Sequence, residues 1–280
     1  MFNNTIDLPN KINNTLISND FIMQDYAGVK YLQSALLLDY KSDFSHAFST
    51  RLGGFSQKPY DSFNLGFHED FLIDDANQNR SQILTILNLD NNNLSTARQR
   101  HTDNIAIVSA PQIFDQTDSI IITKPNLPAL MTFADCVPIL VYDYKLKYLA
   151  VIHSGWRGTA KNILAKTIKK LINLGSESKH IIVSIGPAID QCCFETGRDA
   201  FDQISQNCDY LDSSQYAFAK NDKFMINLKI LNLYQALIFS VAQVNITHFC
   251  TSCHSDLFYS HRKFKGQTGR HALIAGLITR

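Results

Sequence analysis

The chain has almost no excess charge: 26 Lys and Arg stand against 25 Asp and Glu, a formal net charge of +1. Without an overall basic field, neither nucleic acid nor an anionic membrane is expected as a partner. Long apolar runs are missing too. The best stretch, residues 128–142, is interrupted by Asp135 and falls short of the roughly 18 residues a membrane helix needs. Six Cys in 280 residues are too few for a disulfide scaffold. The N-terminal MFNNTIDLPNKINN has no basic region followed by an apolar core, so no secretory signal is expected. A soluble, cytoplasmic protein follows, with thiols that are buried, metal-bound or catalytic. Neither G-x-G-x-x-G nor a Walker lysine motif occurs, so no nucleotide cofactor is expected. No Pro- or Ser-rich linker and no internal repeat divides the chain. Residues 1–280 are therefore expected to form a single domain, with residues 1–40 as a peripheral N-terminal segment.

What is present is an ordinary globular composition, 45% hydrophobic and 18% charged. Residues 44–50 alternate apolar and polar side chains, which predicts a strand ending at Arg51-Leu52-Gly53-Gly54. Residues 77–88 predict a short helix. Four β-branched runs, 105–109, 119–123, 138–142 and 148–153, predict strands. Ile163, Leu164, Ile168, Leu171 and Ile172 share one helical face, and Gly175 stands where a C-terminal cap belongs. A further strand is predicted over 181–185, a helix over 226–242, and closing strands near 257–261 and 271–278. Strands and helices mix without strict alternation. The fold class is therefore a mixed α/β (α+β) domain and not a doubly wound one.

Chemistry-bearing side chains gather at predicted turns and strand ends. Cys136 opens one apolar strand and His153 closes another, 17 residues later. An antiparallel hairpin would bring this thiol and imidazole together at one sheet end. Both are suited to tetrahedral zinc, and a third ligand would leave one position open for chemistry. His68 and His101 are the candidates, and spacing does not choose between them. Cys250-Thr251-Ser252-Cys253-His254 matches the haem-attachment pattern. Haem is not expected in a chain without an export signal, and a zinc ribbon would need a second C-x-x-C pair. Arg51 beside Gly53-Gly54 and Arg157 in Gly-Trp-Arg-Gly could each hold an anion.

Several motifs are informative together: Ser49-Thr50-Arg51-Leu52-Gly53-Gly54, Asn64-Leu65-Gly66-x-His68, Gln99-x-His101, Ala134-Asp135-Cys136-x-Pro138, His153-Ser154-Gly155-Trp156-Arg157-Gly158, Ile185-Gly186-Pro187-Ala188-Ile189 and Thr268-Gly269-Arg270. In this order they resemble the laccase-domain family, whose members are named polyphenol oxidases, peptidoglycan editing factors or purine nucleoside phosphorylases. The resemblance implies one domain with mixed β-sheets sandwiched between helices. It also implies a zinc held by His68, Cys136 and His153, and phosphorolysis of adenosine, inosine and methylthioadenosine, with adenosine deamination besides. The chain departs from the family after His68, where Glu69-Asp70-Phe71 replaces the usual Val-Gly-Asp. It also departs at Thr102, Ser154 and Phe194.

On this reading Arg51 binds phosphate, and Asn64 and His101 orient the nucleoside. Asp135 either shuttles a proton or fixes a metal ligand. Zinc is favoured over copper, because the nine His include no H-x-H pair of the kind a trinuclear copper cluster uses. The rival reading is hydrolysis of an amide in a cell-wall precursor. Oligomeric state stays open.

Overall fold

The computed structural model describes residues 11–12, 15–67 and 73–279. The strands form one eight-stranded sheet, one seven-stranded sheet and a small three-stranded sheet, all mixed or antiparallel. The eight-stranded sheet runs Lys11–Ile12, Thr15–Ser18, Gln243–Ile246, Ile181–Ile185, Val137–Asp143, Tyr148–Ser154, Ser119–Ile122, Ile105–Val108. The seven-stranded sheet runs Phe21–Tyr26, Val29–Ser34, Phe44–Ser49, His271–Leu277, Ala129–Phe133, Ser95–Ala97, Ile113–Phe114.

The layers follow from period-two alternation along the central strands. In Val137–Asp143, the residues Val137, Ile139 and Val141 face a core shared with helices Ile163–Asn173 and Leu228–Leu237. Leu140 and Tyr142 point the other way, into a core shared with Met131, Phe133, Leu273 and Ala275 of the second sheet. That sheet's far face carries Leu130, Ala272 and Ile274, which pack on Ile83 and Leu84 of helix Ile73–Ile86. The order is helix, sheet, sheet, helix. Truncating a fully buried side chain at the sheet–sheet interface, Leu140→Ala for instance, would cost about 2–5 kcal/mol.

Most expected elements are present. Helix Ile163–Asn173 ends as its glycine predicts. Gly175 has φ +104°, and its N–H donates to the Ile172 carbonyl while the Ser176 N–H donates to that of Leu171. The segment 257–261 is not a strand. Its Phe258 and Tyr259 are buried, yet the Leu257 and Phe258 N–H groups bond back to the His254 carbonyl in consecutive turns. Burial made its apolar pattern look strand-like. The helix expected over 226–242 is shorter, Leu228–Leu237, capped by Asn227, whose side chain accepts from the Ile230 N–H.

The apolar stretch 128–142 proves to be two strands in different sheets. Ala129–Phe133 belongs to one and Val137–Asp143 to the other. Between them Asp135 takes φ +90°, and Cys136 sits where the chain crosses from sheet to sheet. Helix Arg198–Asn207 and the three-stranded sheet of Glu195–Thr196, Lys223–Ile226 and Ala217–Lys220 had no clear signal, since their sequences are polar and short.

Candidate metal centre

The predicted hairpin is the frame of the site. Val137–Asp143 pairs antiparallel with Tyr148–Ser154, with Val137 opposite Ser154 and Pro138 opposite His153. Cys136 and His153 are thereby held at the same end of the sheet. His101 joins them from the loop before Ile105–Val108. One ligand atom from each of His101, Cys136 and His153 lies within 4.8 Å of the other two. The two imidazole rings are 5.0 Å apart, centroid to centroid.

Asp118, fully buried just ahead of strand Ser119–Ile122, organises this set. Its Oδ1 lies 2.8 Å from His153 Nδ1 and accepts the His101 N–H at 3.2 Å. Its Oδ2 accepts the Thr102 N–H and hydroxyl, both at 2.7 Å, and the Arg100 N–H at 3.2 Å. One carboxylate thus wraps residues 100–102 around itself and holds His101 at φ +58°. It also occupies Nδ1 of His153, which leaves Nε2 as the ligand atom, the usual arrangement behind a metal-bound histidine.

The electrostatics agree with this geometry. Burial alone would raise the Asp118 carboxyl, but the hydrogen bonds from His153 and Thr102 outweigh it and hold it at about 2. Burial would lower His153, but the charges of Cys136 and Asp118 and their hydrogen bonds push it up to about 9. His101 is lowered, first by burial and then by the charge of His153. A metal taken up there would displace the proton on His153.

Close approach at this point requires Gly155. A Cβ there would stand 3.0 Å from Cys136 Sγ and 3.3 Å from His101 Cδ2. Helix Trp156–Ala160 starts directly after it, with the Arg157 guanidinium 4.2 Å from the Trp156 ring centroid. Arg157 is exposed on that helix.

The other expected site residues have distinct positions. His68 lies outside the described residues. Arg51 directs its Nε and Nη2 at the Asp61 carbonyl and its Nη1 at that of Ser255, so its fork ties two loops together. Asn64 is buried, and its Oδ1 accepts from the Gly66 and Arg270 N–H groups. Asp135 is also buried; its Oδ1 accepts the Thr251 hydroxyl and its Oδ2 the Arg262 N–H, each at 2.7 Å. With both oxygens engaged, this carboxylate holds the turn that presents Cys136.

Two participants escaped sequence reasoning. Asp118 is only an acidic residue ahead of an apolar strand, with nothing to mark it. Arg270 lies in the Thr268-Gly269-Arg270 motif, and the charges of Cys136 and Asp135 act on it, although burial leaves its pKa lowered overall.

A helix–sheet–sheet–helix domain with a His-Cys-His donor set at a sheet end defines the class. The chain belongs to the family described as multi-copper polyphenol oxidoreductase laccase, whose model matches residues 45–278. It is 30% identical over 243 residues to the purine nucleoside phosphorylase YlmD of Bacillus subtilis, covering 82% of this chain and 87% of that protein. It is 28% identical over 252 residues to a purine nucleoside phosphorylase of Bacteroides thetaiotaomicron, covering 85% of this chain and 92% of that one. The crystal structure of the Bacillus licheniformis hypothetical protein YfiH superposes with a TM-score of 0.84 at 28% identity, covering 91% of this chain and 98% of that one. Among the described residues no helix is long and apolar enough to cross a membrane.

Proposed function

We propose that this protein is a zinc-dependent purine nucleoside phosphorylase of the cytoplasm, acting on adenosine, inosine and methylthioadenosine, with adenosine deamination at the same centre. The observation that carries the reading is the Asp118-braced cluster of His101, Cys136 and His153. It occurs in a chain that aligns along most of the length of relatives named purine nucleoside phosphorylase.

The donor set fits zinc: two imidazole nitrogens and one thiolate match its softness and tetrahedral preference and leave a position open. His101, Cys136 and His153 would hold the ion; His68, the further ligand that the family resemblance implies, lies outside the described residues. When bound, zinc supplies Lewis acidity toward a substrate oxygen or water.

The rest of the work falls to the protein. Asp118 keeps His153 in the tautomer that leaves Nε2 free. Asp135 holds the Cys136 turn, a positioning role and not a proton shuttle. Phosphorolysis also needs a cation to draw phosphate toward C1′ of the ribose. Arg270 is the cation assigned to that role: its charge interacts with that of Cys136, its Nη1 donates to the Thr268 and Gly269 carbonyls, and Asn64 accepts its backbone N–H. Arg51, first expected to bind phosphate, instead orders the loops carrying Asp61 and Ser255.

The test is metal-quantified protein incubated with each nucleoside, with and without phosphate, and chromatography of the products. Ribose 1-phosphate and free base formed only with phosphate, and lost in His101→Ala and Cys136→Ala, are expected. Inosine from adenosine without phosphate reports the deaminase arm. Zinc-loaded protein that turns over none of the nucleosides overturns the reading and brings the cell-wall amide substrate forward.

A further inference from the structure

The vicinal pair Cys192-Cys193 and the C-x-x-C pair Cys250 and Cys253 are far apart in the chain, and the centre described above uses neither. The fold brings all four sulfurs within 4.8 Å of one another. Cys192 Sγ lies 3.7 Å from Cys193 Sγ and 3.6 Å from Cys253 Sγ, and Cys193 Sγ lies 3.4 Å from Cys253 Sγ. The zinc ribbon that seemed to lack its second C-x-x-C pair finds two sulfurs on adjacent residues instead.

We propose that Cys192, Cys193, Cys250 and Cys253 form a second metal site, a four-thiolate cage for a thiophilic divalent cation such as zinc, which braces the turn carrying Cys136.

Three observations support this. A zinc–sulfur bond is about 2.3 Å, so the edges of a four-sulfur tetrahedron are about 3.8 Å. The observed separations are close to that edge. A single disulfide would need one pair drawn to about 2.0 Å and has no use for two further sulfurs. Second, neighbouring groups can compensate the charge of a filled cage. The Asp190 N–H donates to Cys250 Sγ at 3.3 Å. The Arg262 guanidinium, bonded to the Cys193 and Glu195 carbonyls, brings positive charge to a cage that carries net negative charge when filled. Third, Cys192 and Cys253 are exposed while Cys250 is buried, so an ion can enter from solvent and still be anchored from within.

The cage is wired to the first centre through backbone and one side chain. Ala188 pairs with Cys250, and the Thr251 N–H donates to the Ala188 carbonyl. Thr251, inside the C-x-x-C turn, donates its hydroxyl to Asp135, the neighbour of Cys136. The Ile189 N–H donates to the Asp135 carbonyl. An ion joining 192–193 to 250–253 therefore locks both segments that grip Asp135. The site stands independently of the nucleoside reading, since a structural ion would serve any chemistry at Cys136.

The experiment is metal content per chain after anaerobic purification with zinc, together with cobalt(II) reconstitution. Wild type is expected to hold two zinc ions. The Cys192→Ser/Cys253→Ser variant is expected to hold one, and to lose the intense sulfur-to-cobalt charge-transfer absorption of a four-thiolate site. His101→Ala/Cys136→Ser should show the opposite pattern, keeping that absorption. Equal zinc in wild type and the Cys192→Ser/Cys253→Ser variant overturns the proposal. So does a Cys193–Cys253 disulfide in anaerobically purified, zinc-supplied protein.

Should the serine variant not fold, the wild type decides. Zinc-loaded protein is expected to shield Cys192 and Cys253 from iodoacetamide, and chelator-treated protein to expose them. Equal labelling in both overturns the site.

Discussion

Replacing Asp118 by Asn changes one oxygen for an NH2 group, in a position where every neighbour is a donor. Oδ1 faces His153 Nδ1 and the His101 N–H, and Oδ2 faces the Thr102 N–H, the Thr102 hydroxyl and the Arg100 N–H. The amide can satisfy one side only. If its oxygen keeps the Arg100 and Thr102 donors, its NH2 points at the His101 N–H and at His153 Nδ1, which must then accept. The His153 proton moves to Nε2, the atom a metal needs. If the oxygen keeps His153 and the His101 N–H, the NH2 group is set against the Arg100 and Thr102 N–H groups, and the loop that presents His101 loses its anchor on either side. Either way one nitrogen ligand is compromised while all three ligand side chains remain. Loss of such a supporting carboxylate lowers metal affinity about 10- to 100-fold, or about 1.4–2.7 kcal/mol. Zinc affinity by chelator competition on Asp118→Asn checks this, with His101→Ala as the full-loss control. A variant that binds zinc within about twofold of wild type would refute the account of Asp118 as the group that sets the His153 tautomer.

Gly155→Ala places a methyl 3.0 Å from Cys136 Sγ. Nucleoside turnover is expected to fall at least about tenfold, with a much smaller change in the urea midpoint; unchanged kcat/KM would show that the ligands can give way. Lys229 is fully buried, bonded to Asp190 at 2.8 Å and to the Thr247 carbonyl at 2.8 Å. Lys229→Met strands the Asp190 charge and should destabilise the fold by about 3–5 kcal/mol in urea titrations. His46 and His271 are buried and lowered from 6.5 to about 3, in each case by burial first, with the charge of Arg270 adding to it at His271. Below pH 6.5 the unfolded chain binds protons that these folded histidines refuse. Stability is therefore full above that pH and is lost as pH falls toward 3, at up to about 1.4 kcal/mol per pH unit for each. His46→Gln should flatten the stability slope measured between pH 6.5 and 5, and an unchanged slope would show that His46 does not stay neutral.

The hairpin was legible because two β-branched runs with a short polar link have one economical pairing, and that pairing carries Cys136 to His153. Helix Ile163–Asn173 and its glycine cap were legible for the same reason, a local period with a local stop. The turn at Asp135 was not. Nothing in an apolar run of one composition says that its halves belong to different sheets; that is decided by which partners, His271–Leu277 or Tyr148–Ser154, complete each half.

What the sequence determined by itself was therefore local: periods, caps, the hairpin, and the residue types able to hold a metal. Tertiary structure decided which of them meet. His101 stands with Cys136 and His153 because Asp118, distant in sequence and buried, draws residues 100–102 inward by its hydrogen bonds. Cys192-Cys193 meets Cys250 and Cys253 because Ala188 pairs with Cys250. Both are long-range contacts, set by the packing of two sheets and by buried polar groups that must find partners, and neither leaves a periodic trace along the chain.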